Sequence, residues 1–376
     1  MASGPWYQLE NEEDDVPSPA LLVYRERVDE NLRRMLTIAG SPERLRPHVK
    51  THKVAQIVHA QLAQRITKFK CATIAEAEVT AQAGAPDVLL AYQPVGPNVQ
   101  RLLMLTERYP STRFSALVDD DQTIDAVARA FANRGLATEL LLDLDVGMQR
   151  TGIEPGERAR ALYAKLASSP GIRPGGLHAY DGHLRHSDAA MRRTQCNLAF
   201  ERVAAFAQQL RRDALDVPRI VAGGTPTFSF HAERPGVECS PGTCVYWDYG
   251  YGSTLQELPF EHAALVLTRV VSKPGPNRLC FDLGHKAIAS ENPHPRVMLF
   301  SHYSERTLAA TFVGHSEEHL VVETPDSHLF KVGDCVYGIP WHICPTVALY
   351  SEAVVIEAGA VVDRWKIVGR TRRLTA

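Results

Sequence analysis

The sequence predicts an α/β fold: a (β/α)8 barrel of the TIM type followed by an all-β C-terminal domain. From residue 20 to about residue 239, short apolar runs alternate with helical stretches, a pattern typical of βα units around a parallel sheet. After about Tyr251 the sequence changes to alternating, β-branched stretches separated by turns. The chain has 376 residues, so a barrel of roughly 250 residues leaves room for a smaller second domain.

Eight strands are predicted in the first region. In chain order they centre on residues 45–49, 69–73, 88–91, 114–118, 139–143, 175–179, 219–222 and 236–240. Helical segments with apolar spacing near 3.6 lie between them, for example 74–84, which ends at a glycine, and 189–215, the longest. These elements give a predicted barrel domain over residues 18–250.

The second region, residues 251–376, is predicted to be β-rich. Its candidate strands are residues 263–271, 278–282, 307–313, 319–323, 334–338, 353–357 and 361–368. Turn signals such as KPGPN at 273–277 separate them. The sequence leaves open whether residues 1–17 pair with this domain.

Composition narrows the choice of partner and compartment. With 41 basic and 43 acidic residues and a formal charge of -2, the chain has no electrostatic footprint for nucleic acid or for an anionic membrane. Its apolar runs are far shorter than a membrane span, and the acidic N-terminus is unlike a signal peptide. Seven cysteines without a CxxC pair favour a reducing cytoplasm. We therefore expect a cytoplasmic protein with a small-molecule partner.

A lysine stands where the first predicted strand ends. The segment RPHVKTHK at residues 46–53 places Lys50 at that strand end and Lys53 nearly one helical turn later. Active sites of βα barrels lie at the carboxyl ends of the strands, where a lysine can act as a Schiff-base nucleophile. Arg150 follows the fifth strand, and Tyr180 and His183 follow the sixth.

Two glycine-containing turns follow the last two predicted strands. The first contains Gly223, Gly224 and Thr225, and the second contains Gly242 and Thr243. Such turns let backbone N–H groups approach an anion, and phosphate sites in these barrels recur after strands seven and eight. A lysine after strand one that faces a phosphate cradle indicates a phosphorylated aldehyde cofactor.

Taken together, these motifs resemble those of the fold-type III pyridoxal-phosphate enzymes, which have an alanine-racemase-like barrel. The matching group contains D-threonine aldolases, D-serine dehydratases and 3-hydroxy-D-aspartate lyases. The motifs are RPHVKTHK at 46–53, LDVGMQRTG at 144–152, HAYDGH at 178–183, GGTPT at 223–227 and HICPT at 342–346. The resemblance covers nearly the whole chain.

The resemblance implies roles for the barrel residues. Lys50 binds pyridoxal 5'-phosphate, Arg150 and Tyr180 flank its ring, and the two glycine turns hold its phosphate. Among the histidines, His183 is the better functional candidate, because the turn before it aims it inward. The resemblance also implies a homodimer.

The HICPT segment supplies a predicted metal site. His342 and Cys344 lie on one face of the chain if this segment is extended, and the segment matches the metal motif of the family. Imidazole with thiolate favours Zn²⁺. The aldolases of the group carry aspartate at the second position, which suits Mn²⁺ or Mg²⁺, whereas cysteine is the pattern of the zinc-dependent dehydratases.

The leading functional prediction is a lyase that acts on β-hydroxy-D-amino acids. In the aldolase version the Cα–Cβ bond breaks and gives glycine and an aldehyde. The alternative is a D-serine or 3-hydroxy-D-aspartate dehydratase that releases a keto acid and ammonia. Two further alternatives are an amino-acid racemase and a non-catalytic pyridoxal-phosphate carrier.

Overall fold

A computed structural model describes residues 5–9, 13–301 and 304–376 of the chain. It contains two compact units: the described residues up to 34 with 243–367 form one, and 35–242 with 368–376 form the other. These ranges differ from the predicted domains 18–250 and 251–376. The reason is that the first strand, β1 (Ala20–Tyr24), pairs with strands of the second region, and the boundary falls within helix α1 (Arg25–Ala39).

The unit that begins at residue 35 is built on a parallel sheet of seven strands. Its strands pair in chain order. They are β2 (Lys68–Cys71), β3 (Asp87–Leu90), β4 (Arg113–Val118), β5 (Thr138–Leu144), β6 (Ile172–Ala179), β7 (Ile220–Ala222) and β8 (Val237–Cys239).

The predicted first strand is present only as two single bridges, yet it joins the edges of the sheet. Leu45 pairs with Cys239 of β8, and His48 pairs with Lys70 of β2. Arg46 N–H donates to the Cys239 carbonyl at 2.8 Å, and Lys70 N–H donates to the Pro47 carbonyl at 2.9 Å. The ring of pairings is therefore closed, and the predicted TIM-type barrel is confirmed.

Helices cover the outside of these strands. They are α2 (Ala55–Ala63), α3 (Ile74–Gln82), α4 (Pro97–Arg108), α5 (Asp121–Ala132), α6 (Glu157–Ser168), α7 (Ala189–Arg212) and the short α8 (Phe228–Ala232). Side-chain oxygens of Thr73, Asp120 and Asp188 cap α3, α5 and α7, as their residue types predict. A large apolar core fills the space between strands and helices.

The other unit is mostly β-structure, as predicted. After α9 (Tyr249–Thr254) come β9 (Ala264–Gly275), β10 (Arg278–Phe281), β11 (Val297–Ser301), β12 (Ser304–Thr307), β13 (Thr311–His315), β14 (Leu320–Glu323), β15 (Cys335–Pro340), α10 (Ile343–Val347), β16 (Glu352–Glu357) and β17 (Ala360–Lys366). The main path is β12-β11-β15-β9-β1-β16-β17.

Two details of this unit differ from the predicted strands. Strand β11 was not predicted, because its continuous apolar run lacks the alternation of a half-buried strand. The predicted strand 307–313 is divided between the end of β12 and the start of β13.

Two general predictions can be compared with the described residues. None of their helices combines the length and the apolar character that crossing a bilayer requires. Six of the seven cysteines are buried, as expected for small apolar side chains.

Candidate functional site

Three cationic side chains surround the ring of Tyr180, which follows β6. Lys50 Nζ lies 6.0 Å, Lys70 Nζ 5.8 Å and Arg150 Cζ 4.9 Å from the ring centroid. Lys50, Arg150 and Tyr180 were predicted to share a site, and the fold brings them together. Lys70 was not predicted.

Lys50 lies in a short 3-10 turn, Val49–Thr51, directly after the segment that closes the barrel. Its backbone N–H donates to Nδ1 of His48 at 3.3 Å, and its side chain is half-buried. Lys53, by contrast, forms an ion pair with the buried Glu76. Of the two lysines in the motif, it is Lys50 whose amine lies near Tyr180.

A buried chain of polar groups connects three strands of the barrel. Lys70 Nζ of β2 lies 3.4 Å from Nε2 of His178 on β6, and His178 Nδ1 lies 2.7 Å from Oδ1 of Asp143 on β5. The Thr151 hydroxyl donates to Asp143 Oδ2 at 3.0 Å. Because a carboxylate only accepts hydrogen bonds, His178 carries its proton on Nδ1 and its Nε2 accepts from Lys70.

The sequence contains a pattern that predicts the buried position of Lys70, although Lys70 was not among the predicted site residues. Phe69 and Cys71 point into the outer apolar core, so the alternation of a strand turns Lys70 to the barrel interior. Burying a lysine inside a barrel costs folding free energy. A lysine at such a position therefore indicates a function.

Burial changes the proton affinity of these groups. Burial and the positive charge of Lys50 lower the pKa of Lys70 from 10.5 to about 7. Burial also lowers the pKa of His178, although Asp143 opposes this. The pKa of His48 is held well below its ordinary value by burial and by the charges of Lys50 and Lys70. The interior therefore favours neutral nitrogen bases.

The predicted phosphate turn fits closely against Tyr180. A Cβ added to Gly224 would lie 2.9 Å from Cε2 of Tyr180, and Gly223 has a φ of +75° that favours glycine. Gly242 N–H donates to the Thr225 hydroxyl at 3.2 Å. Side chains larger than glycine would fill this cradle.

These residues fit pyridoxal phosphate on the chemistry of their donors. Lys50 offers an amine for the aldehyde and Arg150 offers a cation. Gly223 and Gly224 keep the predicted phosphate turn free of side chains. Thr243, the remaining predicted phosphate contact, belongs to the other unit. There its hydroxyl lies 3.7 Å from Sγ of Cys344.

Among the described residues, one group of three side chains that could ligate a metal lies close together: Asp181, Cys196 and His231, all of them buried. Hydrogen bonds account for it without an ion. His231 Nε2 lies 2.8 Å from Asp181 Oδ2, and Arg234 donates to His231 Nδ1 at 3.0 Å, so both ring nitrogens are engaged. The network fixes the residue that follows Tyr180.

His183, the second predicted catalytic residue, is exposed. It lies beside the loop after β5, because a Cβ added to Gly147 would come within 2.9 Å of His183 Nε2. Its imidazole is therefore accessible to a ligand, and its role stays a prediction.

The predicted metal pair lies in the β-rich unit. His342 precedes α10, and Cys344 lies in its first turn, so the expectation of an extended segment is wrong. The side chains nevertheless interact. Burial lowers the pKa of His342, but the hydrogen bond and charge of Cys344, with Glu291, raise it to about 9.

Two carboxylates lie next to this pair. His342 Nδ1 lies 2.6 Å from Glu291 Oε1, which leaves Nε2 as the available ring nitrogen. Asp248 is buried and accepts from the backbone N–H groups of Tyr251 and Ile343 at 3.0 and 3.1 Å, and burial raises its pKa to about 6. Imidazole and thiol with a supporting carboxylate are the donors that zinc sites use, so the residues fit a metal ion of that kind.

Comparison with known proteins gives matches along most of the chain. The family model "Alanine racemase, N-terminal domain" matches residues 23–250, and a serine dehydratase domain matches residues 263–356. A D-threonine aldolase of Arthrobacter sp. is 31% identical over 362 residues, which cover 94% of this chain and 93% of that protein.

A second relative and a solved structure agree with these matches. The 3-hydroxy-D-aspartate aldolase of Paracoccus denitrificans (strain Pd 1222) is 26% identical and covers 96% of this chain and 93% of its own length. The crystal structure of D-threonine aldolase from Filomicrobium marinum is 29% identical, with a TM-score of 0.86 over 95% of this chain and 96% of that one.

Proposed function

The chain belongs to the fold-type III pyridoxal-phosphate enzymes, and we propose that it is a lyase that cleaves β-hydroxy-D-amino acids between Cα and Cβ. The observation that carries the proposal is the position of the Lys50 amine beside Tyr180 and the glycine cradle. The names of the relatives supply the substrate class.

The cofactor supplies an electron sink for the carbanion that forms at Cα. The protein supplies position and proton transfer. Lys50 would hold the cofactor through its side-chain amine. Arg150 places a positive charge next to the Tyr180 ring, where it offsets the negative charge of a bound carboxylate or phenolate.

A metal ion held by His342 and Cys344 would act as a Lewis acid toward the β-hydroxyl group of the substrate. Glu291 orients His342 through Nδ1, and Thr243 contacts the Cys344 sulfur. Because one ligand is a thiol, we propose zinc rather than Mn²⁺ or Mg²⁺.

Dehydration is the second candidate function, and two observations favour it. Cys344 offers a thiolate as the second metal ligand, and thiolate ligands favour zinc. Residues 263–356 match a serine dehydratase domain. A racemase would have no use for the His342–Cys344 pair. The β-rich unit after the barrel also argues against a cofactor carrier, which would resemble the barrel alone.

The test is to incubate the purified protein, with and without EDTA, with D-threonine, D-serine and 3-hydroxy-D-aspartate. Glycine with an aldehyde supports the aldolase, whereas a keto acid with ammonia supports the dehydratase. Unchanged activity after complete metal removal would exclude the proposed role of the metal.

The cofactor assignment has its own test. Borohydride reduction followed by peptide mapping should fix pyridoxal phosphate to Lys50 and leave Lys53 unmodified. A colourless protein that borohydride does not label would contradict the proposal. We propose a homodimer in the cytoplasm as the working form, which sedimentation and localisation experiments can check.

A further inference from the structure

Lys70 has a different environment from two other cations near the barrel closure, Arg46 and Lys53. It is only 2% exposed, and the one hydrogen bond of its side chain among the described residues goes to the His178 imidazole. The side chain of Arg46, which is also buried, binds both Asp87 and Glu238, and Lys53 binds Glu76. A lysine that served only to stabilise the barrel would need such a carboxylate to offset its burial.

The two lysines of the site lie on adjacent segments of the chain. His48, two residues before Lys50, pairs with Lys70 across the closing bridge. Both amines approach the ring of Tyr180, at 6.0 and 5.8 Å from its centroid. The positive charge that acts most strongly on Lys70 is that of Lys50.

Charged and titratable groups from several elements act on Lys70. The cations are Lys50 and Arg46 from the segment that closes the barrel, and the carboxylates are Asp143 of β5 and Asp181 after β6. The charge of Lys70 in turn lowers the pKa of His48 and of His178 on β6. None of the carboxylates bonds the amine directly. Burial and the charges of Lys50 and Arg46 favour the neutral amine, whereas Asp143 and Asp181 oppose this, and the pKa of Lys70 is lowered to about 7.

We propose that Lys70 is the proton acceptor for Lys50. This inference rests on the proposed role of Lys50 as the cofactor-binding lysine. An ammonium group has no lone pair with which to attack a carbonyl carbon, so Lys50 must lose a proton first.

In the proposed step, one proton moves from Nζ of Lys50 to Nζ of Lys70. Lys50 gains the lone pair, and Lys70 becomes an ammonium group. The new positive charge is stabilised by the hydrogen bond that Lys70 donates to Nε2 of His178. The Nδ1–H of His178 in turn donates to Asp143. The proton returns to Lys50 when the substrate amine displaces it, so the exchange needs no further reactant.

The experiment measures how fast the full-length apoprotein captures pyridoxal phosphate. After removal of the cofactor with hydroxylamine, the protein is mixed with pyridoxal phosphate between pH 6 and 9, and the absorbance of the covalent adduct is followed. The variants are Lys70→Met and Lys70→Arg. The matched control is Lys68→Met, because Lys68 lies on the same strand but binds Glu238.

We expect the wild-type rate to rise through about pH 7, and both Lys70 variants to lose this dependence. At pH 7 they should capture the cofactor on the order of 100-fold more slowly, as is usual when an acid/base group is removed. Lys68→Met should follow the wild type. Binding of pyridoxamine phosphate, which has no aldehyde, should be equal in all four proteins and shows that the site is intact.

Each other outcome overturns the inference. If Lys70→Arg matches the wild type, Lys70 acts by its charge and not as a proton acceptor. If Lys70→Met matches it, or if pyridoxamine phosphate no longer binds the variants, Lys70 is structural. If the wild-type protein forms no adduct that borohydride fixes to Lys50, the proposed function itself fails.

Discussion

Replacing Glu291 with alanine removes the acceptor that orients His342. Nδ1 of His342 lies 2.6 Å from Glu291 Oε1, so this carboxylate holds the Nδ1 proton and leaves Nε2 as the nitrogen that a metal ion would bind in place of a proton. Without it the tautomer that carries its proton on Nδ1 is less favoured, although the interaction with Cys344 remains. We therefore expect Glu291→Ala to bind zinc more weakly.

The size of the expected loss in zinc affinity follows from the solvent exposure of His342 and Glu291. Carboxylates that orient a ligating histidine usually change metal affinity 10- to 100-fold. Here the His342 and Glu291 side chains are 44% and 47% exposed, so water screens their interaction and the lower end applies. A tenfold loss corresponds to about 1.4 kcal/mol of binding free energy.

Zinc affinity can be measured by competition with a chromophoric chelator at fixed pH. Glu318→Ala is the matched control, since Glu318 is an exposed carboxylate of the same unit that pairs with Lys286. The expected result is a tenfold weaker affinity for Glu291→Ala and no change for the control. Equal affinities in all three proteins would refute the assigned role of Glu291.

Three further predictions concern the barrel unit. Arg46→Met should lower the free energy of unfolding by about 3 kcal/mol in urea denaturation, because it leaves two buried carboxylates with one cation each. Lys70→Met should have a higher free energy of unfolding than the wild type near pH 7. This difference should shrink toward pH 10 by up to about 1.4 kcal/mol per pH unit. The reason is that between pH 7 and pH 10 the lysine keeps its proton in the unfolded chain but loses it in the folded protein. Gly224→Ala should weaken binding of pyridoxal phosphate in an absorbance titration, since its Cβ meets the Tyr180 ring at 2.9 Å, while Gly156→Ala, with open space around it, should not.

Controls separate these effects from general damage. Arg113 also binds Asp87 but is half exposed, so Arg113→Met should cost no more than about 1 kcal/mol. If Arg46→Met costs as little, the buried pairs contribute nothing. If the stability difference between Lys70→Met and the wild type is independent of pH, Lys70 does not titrate near neutrality.

Local patterns in the sequence predicted the elements well where the pattern was regular. Seven barrel strands were predicted close to their positions because apolar runs, caps and glycines are local signals, and Gly84, with a φ of +88°, ends α3 as expected. Strand β11 was missed because a continuous apolar run fits either a helix or a strand.

Long-range pairing was less accessible to sequence reasoning. The segment at 45–48 has the composition of a strand, but only its position between β2 and β8 shows that it closes the barrel through single bridges. Likewise, the sequence left open where the N-terminal segment pairs. The structure places β1 between β9 and β16. These partners, more than 200 residues away in the chain, make β1 part of the β-rich unit.

The sequence by itself determined the chemistry that neighbours along the chain can carry: a lysine at a strand end, glycine turns for a phosphate, and a histidine with a cysteine one residue apart. Only the tertiary structure decided which groups act on one another. It brought Lys70, His178 and Asp143 together from three strands, and it turned Glu291 toward His342 across 51 residues. Proton transfer and the orientation of a ligand depend on distances of about 3 Å, and chain folding sets such distances between residues that no local pattern connects.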